Sequence, residues 1–253
     1  MRSFRLIAIA SVALALFGAP MVVFAQSFSD TQRRDIETII RNYLVSHPEV
    51  LEDAMNELSK RQAAAEAKKH EESVAKNADE IFNSPRGVVL GNKDGDVTFV
   101  EFFDYNCGYC KRAMADMLDL LKTDPKLKVV LKEFPVLSEG SVEAAKVAVA
   151  ARMQDPSKYL AFHTKLLGGR GPADKARAMA AAKDAGYDTA RIEKDMTSPE
   201  VKATIEEDFK LAEAMGMNGT PSYVIGKQVV VGAVGLEGLK EKIAIARCGK
   251  ATC

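Results

Sequence analysis

The chain has 253 residues with 35 basic and 35 acidic side chains, so it carries no net charge with which to hold nucleic acid or an anionic membrane. Its length allows one substantial core plus an extra element, and four cysteines are too few for a disulfide scaffold of this size. Beyond the first 25 residues no apolar stretch approaches membrane-spanning length.

Arg2 and Arg5 precede a twelve-residue apolar run, Leu6 to Phe17, and Val23-Phe24-Ala25 offers small residues before Gln26. Residues 1–25 therefore read as an export signal; the run is short for a membrane span, and an uncleaved anchor is the alternative. Export matters chemically, because disulfides persist outside a reducing cytoplasm. From Ser29 to Ser46 the chain reads as a helix, with Ser29 and Gln32 at capping-box spacing and an apolar stripe of Ile36, Ile39, Ile40, Tyr43 and Leu44. Ser46-His47-Pro48-Glu49 ends it and starts a second helix, which continues through Val50, Leu51, Met55 and Leu58. These helices, within a segment 26–58, have no core of their own, so self-association is expected. Residues 59–84 form a linker. It is alanines and charges to residue 78, with Glu57–Arg61 and Glu72–Lys76 at helical pairing distance. A helix polar all round bridges domains through solvent; for the two amphipathic helices before it, docking on the main domain is the alternative to self-association.

Ser84-Pro85-Arg86-Gly87 opens the main domain, 85–253. Val88 to Leu90 is a short strand, and Asn92-Lys93-Asp94-Gly95 is a turn. Asp96 to Phe103 alternates and then saturates with β-branched and aromatic residues, as a mostly buried strand does. Lys111 to Lys122 carries Met114, Met117, Leu118 and Leu121 at helical spacing, and Leu127 to Phe134 is another strand closed by Pro135. From about 138 to 215 the pattern is helical, with segments at Ala144–Met153, Pro156–Leu167, Ala173–Ala185, Thr189–Met196 and Pro199–Met215. Strands return at Ser222–Ile225 and Gln228–Val231, and a last helix runs from Leu236 to about Arg247. This order describes an α/β domain: a small sheet flanked by helices, with a helical block inserted between its halves.

Cys107-Gly108-Tyr109-Cys110 stands where the strand ends and the helix begins. Two thiols three apart at a helix start lie on one side of it, within reach of each other. The first also sits over unpaired N–H groups and the positive end of the helix dipole, which favours a thiolate. Cys107 is thus expected to be the exposed attacking thiolate, and Cys110, one turn in, the more buried resolving thiol. A carboxylate at Glu101, between Val100 and Phe102, would be costly to bury unpaired; a solvent-facing or lysine-paired position is the alternative.

Phe102 to Lys111 resembles the active-site segment of the bacterial Dsb thioredoxin-fold oxidoreductases, and Gly219-Thr220-Pro221-Ser222-Tyr223 resembles their cis-proline loop. The resemblance implies a thioredoxin fold with an inserted helical domain and an N-terminal helical extension. It also implies a cis peptide before Pro221, which position alone does not decide. Thr220 would then present its backbone to a client strand opposite Cys107, a β-addition mode, and would tune the thiols. The family places an acidic residue beneath the second cysteine, where it assists proton transfer; Glu101 matches that place, with Glu133 a weaker competitor. The Gly108-Tyr109 dipeptide is like that of the isomerases of the group, whereas the oxidases typically carry Pro-His. Ile39 to Leu58 resembles the leader domain of the suppressor-of-copper-sensitivity C proteins.

The expectation is therefore a periplasmic disulfide isomerase or reductase. It would act on cysteine-containing exported proteins, be kept reduced by a membrane thiol reductase, and be joined into a homo-oligomer, three protomers, through residues 26–58. The alternatives are a dithiol oxidase of the same fold, a copper-binding protein, and an adaptor whose helical leader recruits a partner. No cofactor beyond the redox-active cysteines and no resident metal is expected, although Cu(I) would bind reduced Cys107 and Cys110 as soft thiolates. Cys248 and Cys253 read as a local structural disulfide; a second redox pair, or a zinc site with Cys107 and Cys110, is the alternative. His47, His70 and His163 have no partner motif and read as structural or solvated, and the methionines as core packing.

Overall fold

The computed structural model describes residues 28–253; the stretch 1–25 read as an export signal lies outside the described residues. Two compact units divide between Leu58 and Ser59. In the first, α1 (Asp30–Ser46) begins with a reciprocal capping box: Gln32 N–H donates to Ser29 Oγ at 3.3 Å, and Ser29 N–H to Gln32 Oε1 at 2.9 Å. The apolar stripe forms but is uncovered: Ile39, Ile40, Tyr43, Leu51, Met55 and Leu58 are all exposed. The second helix, α2 (Glu49–Lys76), runs unbroken through the alanine and charge tract.

The second unit is built on five strands, β1 (Val88–Gly91), β2 (Val97–Phe103), β3 (Leu127–Glu133), β4 (Ser222–Ile225) and β5 (Gln228–Val231), in the order β1-β3-β2-β4-β5. Only β2 and β3 run parallel, and the crossover they require is α4 (Gly108–Thr123). The other pairings are antiparallel. Both faces of the central strands are covered, which is why their sequences saturate with apolar residues. Phe99, Phe103, Val129, Leu131 and Tyr223 pack on one face with Met117 of α4 and Leu239 of α10 (Gly235–Cys248). Val100, Phe102, Val130 and Val224 pack on the other, with Ile81 of α3 (Ala78–Phe82) and Leu211 of α9 (Pro199–Ala214).

Between β3 and β4 lies the helical insertion: α5 (Glu139–Gln154), α6 (Tyr159–Gly168), α7 (Lys175–Asp184), α8 (Thr189–Asp195) and α9. This is a thioredoxin sheet carrying a helical insertion and an N-terminal helical region. The helix α5 starts five residues before its apolar run, because Ser138 Oγ accepts the Ser141 N–H at 3.1 Å and caps it. Its buried alanines 144, 145, 148, 150 and 151 let it sit at the centre of the insertion.

The linker departs from the sequence expectation. Its later turns do not run through solvent: Val74 and Ile81 are buried in the second core, and Ser73 Oγ donates to Ala214 O at 2.6 Å. One buried apolar residue in each helix, Val74 in α2 and Ile81 in α3, docks a segment that reads as polar. Residues 59–84 therefore belong to the second compact unit. On the same face the ammonium of Lys132, entirely buried on β3, lies 2.9 Å from Asp208 and 3.4 Å from Glu207 on α9. Arg86 in turn holds Glu207 at 2.8 Å and Glu200 at 3.0 Å.

Candidate active site

Where β2 ends, the buried Asp104 carboxylate accepts the N–H of Asn106 at 2.7 Å and that of Leu137 at 3.0 Å. One side chain thus folds the turn and ties it to the segment after β3. Cys107 N–H donates to Asp104 O at 3.0 Å, and Cys107 becomes the N-cap of α4 with φ −79° and ψ 115°. Its sulfur stands where a serine or aspartate oxygen stands in ordinary caps, accepting the Cys110 N–H at 3.4 Å.

The two thiols are pushed in opposite directions. A hydrogen bond from the Cys110 thiol lowers Cys107 most, and against the opposing effect of burial the Thr220 side chain and the N–H groups of Cys110 and Tyr109 take it to about 5. The buried Thr220 hydroxyl has no hydrogen-bond partner within ordinary limits among the described residues, so it acts on the sulfur as a nearby O–H dipole. Cys110 is completely buried, and burial, the neighbouring Cys107 and Glu101 push its thiol far above the ordinary range. The two are unbridged.

Thr220 reaches the site through the sheet. Phe102 on β2 is paired with Ser222 on antiparallel β4, so the loop before β4 lies beside the loop after β2. The Thr220–Pro221 peptide is cis, and the Cys107 thiol donates to Thr220 O at 3.1 Å.

Cys107 is not openly exposed: 7% of its surface is accessible. It lies at the floor of a cleft of about 300 Å³, lined by Tyr105, Asn106, Gly108, Lys111, Gly171 and Pro172. The covering residues Gly171 and Pro172 come from the loop between α6 and α7 of the insertion. Asn106 holds that loop: its Oδ1 accepts Ala173 N–H at 2.7 Å, and its Nδ2 donates to Ala173 O at 2.8 Å and Ser141 Oγ at 2.9 Å. Lys111 adds a hydrogen bond to Gly169 O. Solvent meets Gly108 and Tyr109 instead, the Tyr109 ring lying under the Arg112 guanidinium at 4.4 Å. A Cβ at Gly108 would meet nothing within 4 Å, so packing does not demand glycine there.

Glu101 is buried on the β2 face that α4 covers. Burial first, then the negative charges of Cys107 and Asp116, raise its pKa to about 8, so it holds its proton at neutral pH. Glu133 belongs to a different cluster, in which Tyr159 donates to its Oε1 at 2.7 Å. Tyr105 Oη lies 3.0 Å from Tyr159 Oη and 3.3 Å from His163 Nδ1, and burial drops His163 to about 3. Cys248 and Cys253 are bonded to each other, Cα–Cα 6.2 Å, at the end of α10. His47 is exposed beside Glu49, and His70 is half-buried.

Sequence reasoning did not find Asn106, Lys111, Gly171 or the Tyr105–Tyr159–Glu133 chain. The first could have been suspected from a polar residue directly before the cysteine; the others depend on partners 26 to 58 residues away.

A DSBA-like thioredoxin domain profile matches residues 98–244, and a profile of the copper resistance protein ScsC N-terminal domain matches residues 32–65. The crystal structure of a thioredoxin-like oxidoreductase from Silicibacter pomeroyi is 46% identical, covering 67% of this chain and 96% of that one with a TM-score of 0.64. Proteus mirabilis ScsC in a transitional conformation is 27% identical, covering 88% and 98%, also with a TM-score of 0.64. The thiol:disulfide interchange protein DsbA of Bordetella pertussis is 27% identical over 146 residues, 55% of this chain and 68% of that protein. The chain also matches Na(+)/H(+) antiporters of Salinispora arenicola and Herminiimonas arsenicoxydans at 23% and 26% identity, and spans about a quarter of the length of those relatives. No described helix of this chain is long and apolar enough to cross a membrane.

Proposed function

The chain belongs to the DSBA-like thioredoxin-domain family, and from that membership we propose that it is a thiol–disulfide oxidoreductase that rearranges or reduces disulfides in cysteine-containing exported proteins. One observation carries this reading: thiols one helical turn apart are driven apart in acidity, Cys107 down to about 5 and Cys110 upward. At neutral pH that leaves a nucleophile on the cleft floor and a protonated resolving thiol beneath it.

The client segment lies against the backbone of Thr220. The Cys107 thiolate attacks one sulfur of a client disulfide; the new S–S bond forms as the old one breaks, and the departing sulfur takes a proton from solvent. A second client thiolate then attacks the client sulfur and regenerates Cys107, which is isomerisation. Alternatively Cys110 attacks Cys107 Sγ, releasing reduced client and closing the Cys107–Cys110 bridge. That step needs a base for the Cys110 proton. Glu101 fits the task, because the negative charge of Cys107 is one of the causes holding its pKa up. Once Cys107 is in a mixed disulfide that charge is gone, and Glu101 is readier to be the carboxylate that accepts the proton.

The Gly108-Tyr109 dipeptide supports the isomerase or reductase direction. The dithiol oxidase is the second reading, favoured by the same acidity at Cys107, since a stabilised thiolate makes the bridged form oxidising. The uncovered stripe on α1 and α2, together with the match over residues 32–65, supports assembly through residues 26–58, proposed as a trimer. The signal-like residues 1–25 and the Cys248–Cys253 bond support a periplasmic setting, where a membrane thiol reductase would keep the site reduced. Two thiolates one turn apart also suit linear Cu(I) coordination once Cys110 has lost its proton; the profile over the leader, named for copper resistance, keeps copper as a proposed ligand.

Thiol trapping in living cells, paired with refolding of scrambled ribonuclease, tests the direction. Mostly free thiols with rescue of the scrambled substrate support the isomerase. A mostly bridged pair without rescue assigns the protein to the oxidase reading.

A further inference from the structure

The cleft above Cys107 has a charge of its own. Apart from the Cys107 thiolate at its floor, only Lys111 is ionic among the side chains that line it, and its ammonium is engaged by a single backbone carbonyl, that of Gly169. An ammonium has three N–H groups, so two are left for another acceptor. Lys111 forms no ion pair with an acid among the described residues; of the acids close to it in sequence, Asp104 is committed to the N–H groups of Asn106 and Leu137, and Asp116 does not line the cleft. Two further cations lie close by in the chain and are exposed: Arg112, whose guanidinium stands over the Tyr109 ring, and Arg170, directly before Gly171. Lys111 is therefore the fixed positive charge of a half-closed cleft whose floor is the nucleophile. A negative group entering it is attracted to Lys111, and a positive one is repelled.

We infer that Lys111 selects disulfides with a carboxylate close to the attacked sulfur, so that acidic segments are the favoured clients. This rests on the reading of Cys107 as the exchanging thiol and names the substrate class of that site. In the reaction the Cys107 thiolate attacks the sulfur nearer the cleft, the Cys107–sulfur bond forms and the substrate S–S bond breaks. Cys107 is oxidised, the departing sulfur is reduced and protonated by water, and the carboxylate stays on Lys111 without changing bonds.

Three disulfides of equal length test it: 3,3′-dithiodipropionate, hydroxyethyl disulfide and cystamine, which carry two negative, no and two positive charges. Each is reacted with the reduced full-length protein at low ionic strength, and the first oxidation of Cys107 is followed by mass spectrometry of the quenched protein. Dividing the anion rate by the cation rate, then dividing wild type by variant, cancels both leaving-group reactivity and any change in Cys107 itself. The wild-type to Lys111→Met quotient should be about fivefold or more, the upper end for one partly exposed ion pair. It should shrink toward one in about 1 M salt, and Lys111→Arg should restore the wild-type ratio. A quotient of one at low salt, or an anion preference that survives Lys111→Met, overturns the assignment of selectivity to Lys111. No reaction with any of the three overturns the exchange chemistry itself.

Discussion

Replacing Cys110 with alanine should raise the pH at which Cys107 reacts without making it an ordinary thiol. In the wild type Cys107 titrates near 5, and the largest cause is the hydrogen bond from the Cys110 thiol; the Thr220 side chain and the N–H groups of Cys110 and Tyr109 supply the rest. Alanine removes the first and leaves the others, because the Cys110 N–H that lies 3.4 Å from the sulfur is backbone. A hydrogen bond to a charged acceptor contributes about 1.5–3 kcal/mol, which is about 1–2 pH units at 1.36 kcal/mol each. The midpoint should therefore move to roughly 6–7. The plateau rate moves as well, since a more basic thiolate is the better nucleophile. With a Brønsted slope of about 0.4–0.5 the plateau should rise roughly 2.5- to tenfold. Iodoacetamide labelling from pH 4 to 9 measures both in one titration. The variant suits it, because Cys248 and Cys253 are bonded and Cys107 is then the only free thiol. A variant midpoint still near 5 would show that the backbone and helix dipole suffice and that the thiol–thiol hydrogen bond is not the cause. A midpoint above 8 would refute the contribution of the N–H groups.

Glu101→Gln should slow the closing of the Cys107–Cys110 bridge while leaving the first attack by Cys107 in place, a split that rapid quench resolves. In the wild type Glu101 is protonated in the fold up to about pH 8, against a usual 4.5. The associated stability is full below the unfolded value and is lost as pH rises through 8. Glu101→Gln should abolish this loss, worth at most about 5 kcal/mol, and denaturant titrations at pH 5 and 9 read it. Lys132→Met should cost about 3–5 kcal/mol by stranding Asp208, and Lys132→Met with Asp208→Leu should recover most of it; a double variant no better than the single would refute the pairing. Asn106→Ala removes the bonds to Ala173 and Ser141 and should cost about 2–3 kcal/mol while speeding labelling of Cys107 by bulky maleimides. Deleting residues 26–58 should give a monomer by light scattering that still exchanges with small disulfides but no longer rescues scrambled ribonuclease. The cut belongs at 58, since Ser73 and Val74 are packed in the main unit.

What could be read from the chain was what local pattern encodes. Strands covered on both faces saturate with apolar residues, so β2 and β3 are evident from Val97–Phe103 and Leu127–Glu133. The position of Cys107 at a strand-to-helix junction follows from two periodicities that change at one place. What could not be read depends on partners distant in sequence. Lys132 looks like a solvent-facing residue in its strand, and only Asp208, 76 residues on, makes its burial tolerable. The cover over Cys107 comes from Gly171 and Pro172, in a glycine-rich loop that reads as a connection between helices. A docked linker with a single buried apolar residue in each of two helices, Val74 and then Ile81, falls below the threshold at which a stripe is visible. The uncovered stripe of α1 is the opposite case: the pattern is clear, and no described residue covers it.

The acidity of Cys107 alone does not set the direction of exchange. At pH 7 a thiol moved from 9.0 to about 5 stabilises the reduced form by about 2.7 kcal/mol, which for a two-electron couple is about 60 mV. The interval between thioredoxin and DsbA is about 150 mV, so this effect covers less than half of it. Kinetics point further. An isomerase must keep its mixed disulfide long enough for a second client thiol to attack, and the competing escape is attack by Cys110. That thiol is completely buried, and burial, the first cause that raises both it and Glu101, persists when Cys107 is in a mixed disulfide. Few Cys110 thiolates are available at any moment, so escape is slow and the client has time to rearrange. Several such sites joined through the leader would hold the client at high effective concentration during that interval. On the isomerase reading, the buried thiol and the exposed leader stripe, remote from each other in sequence, would serve the same step.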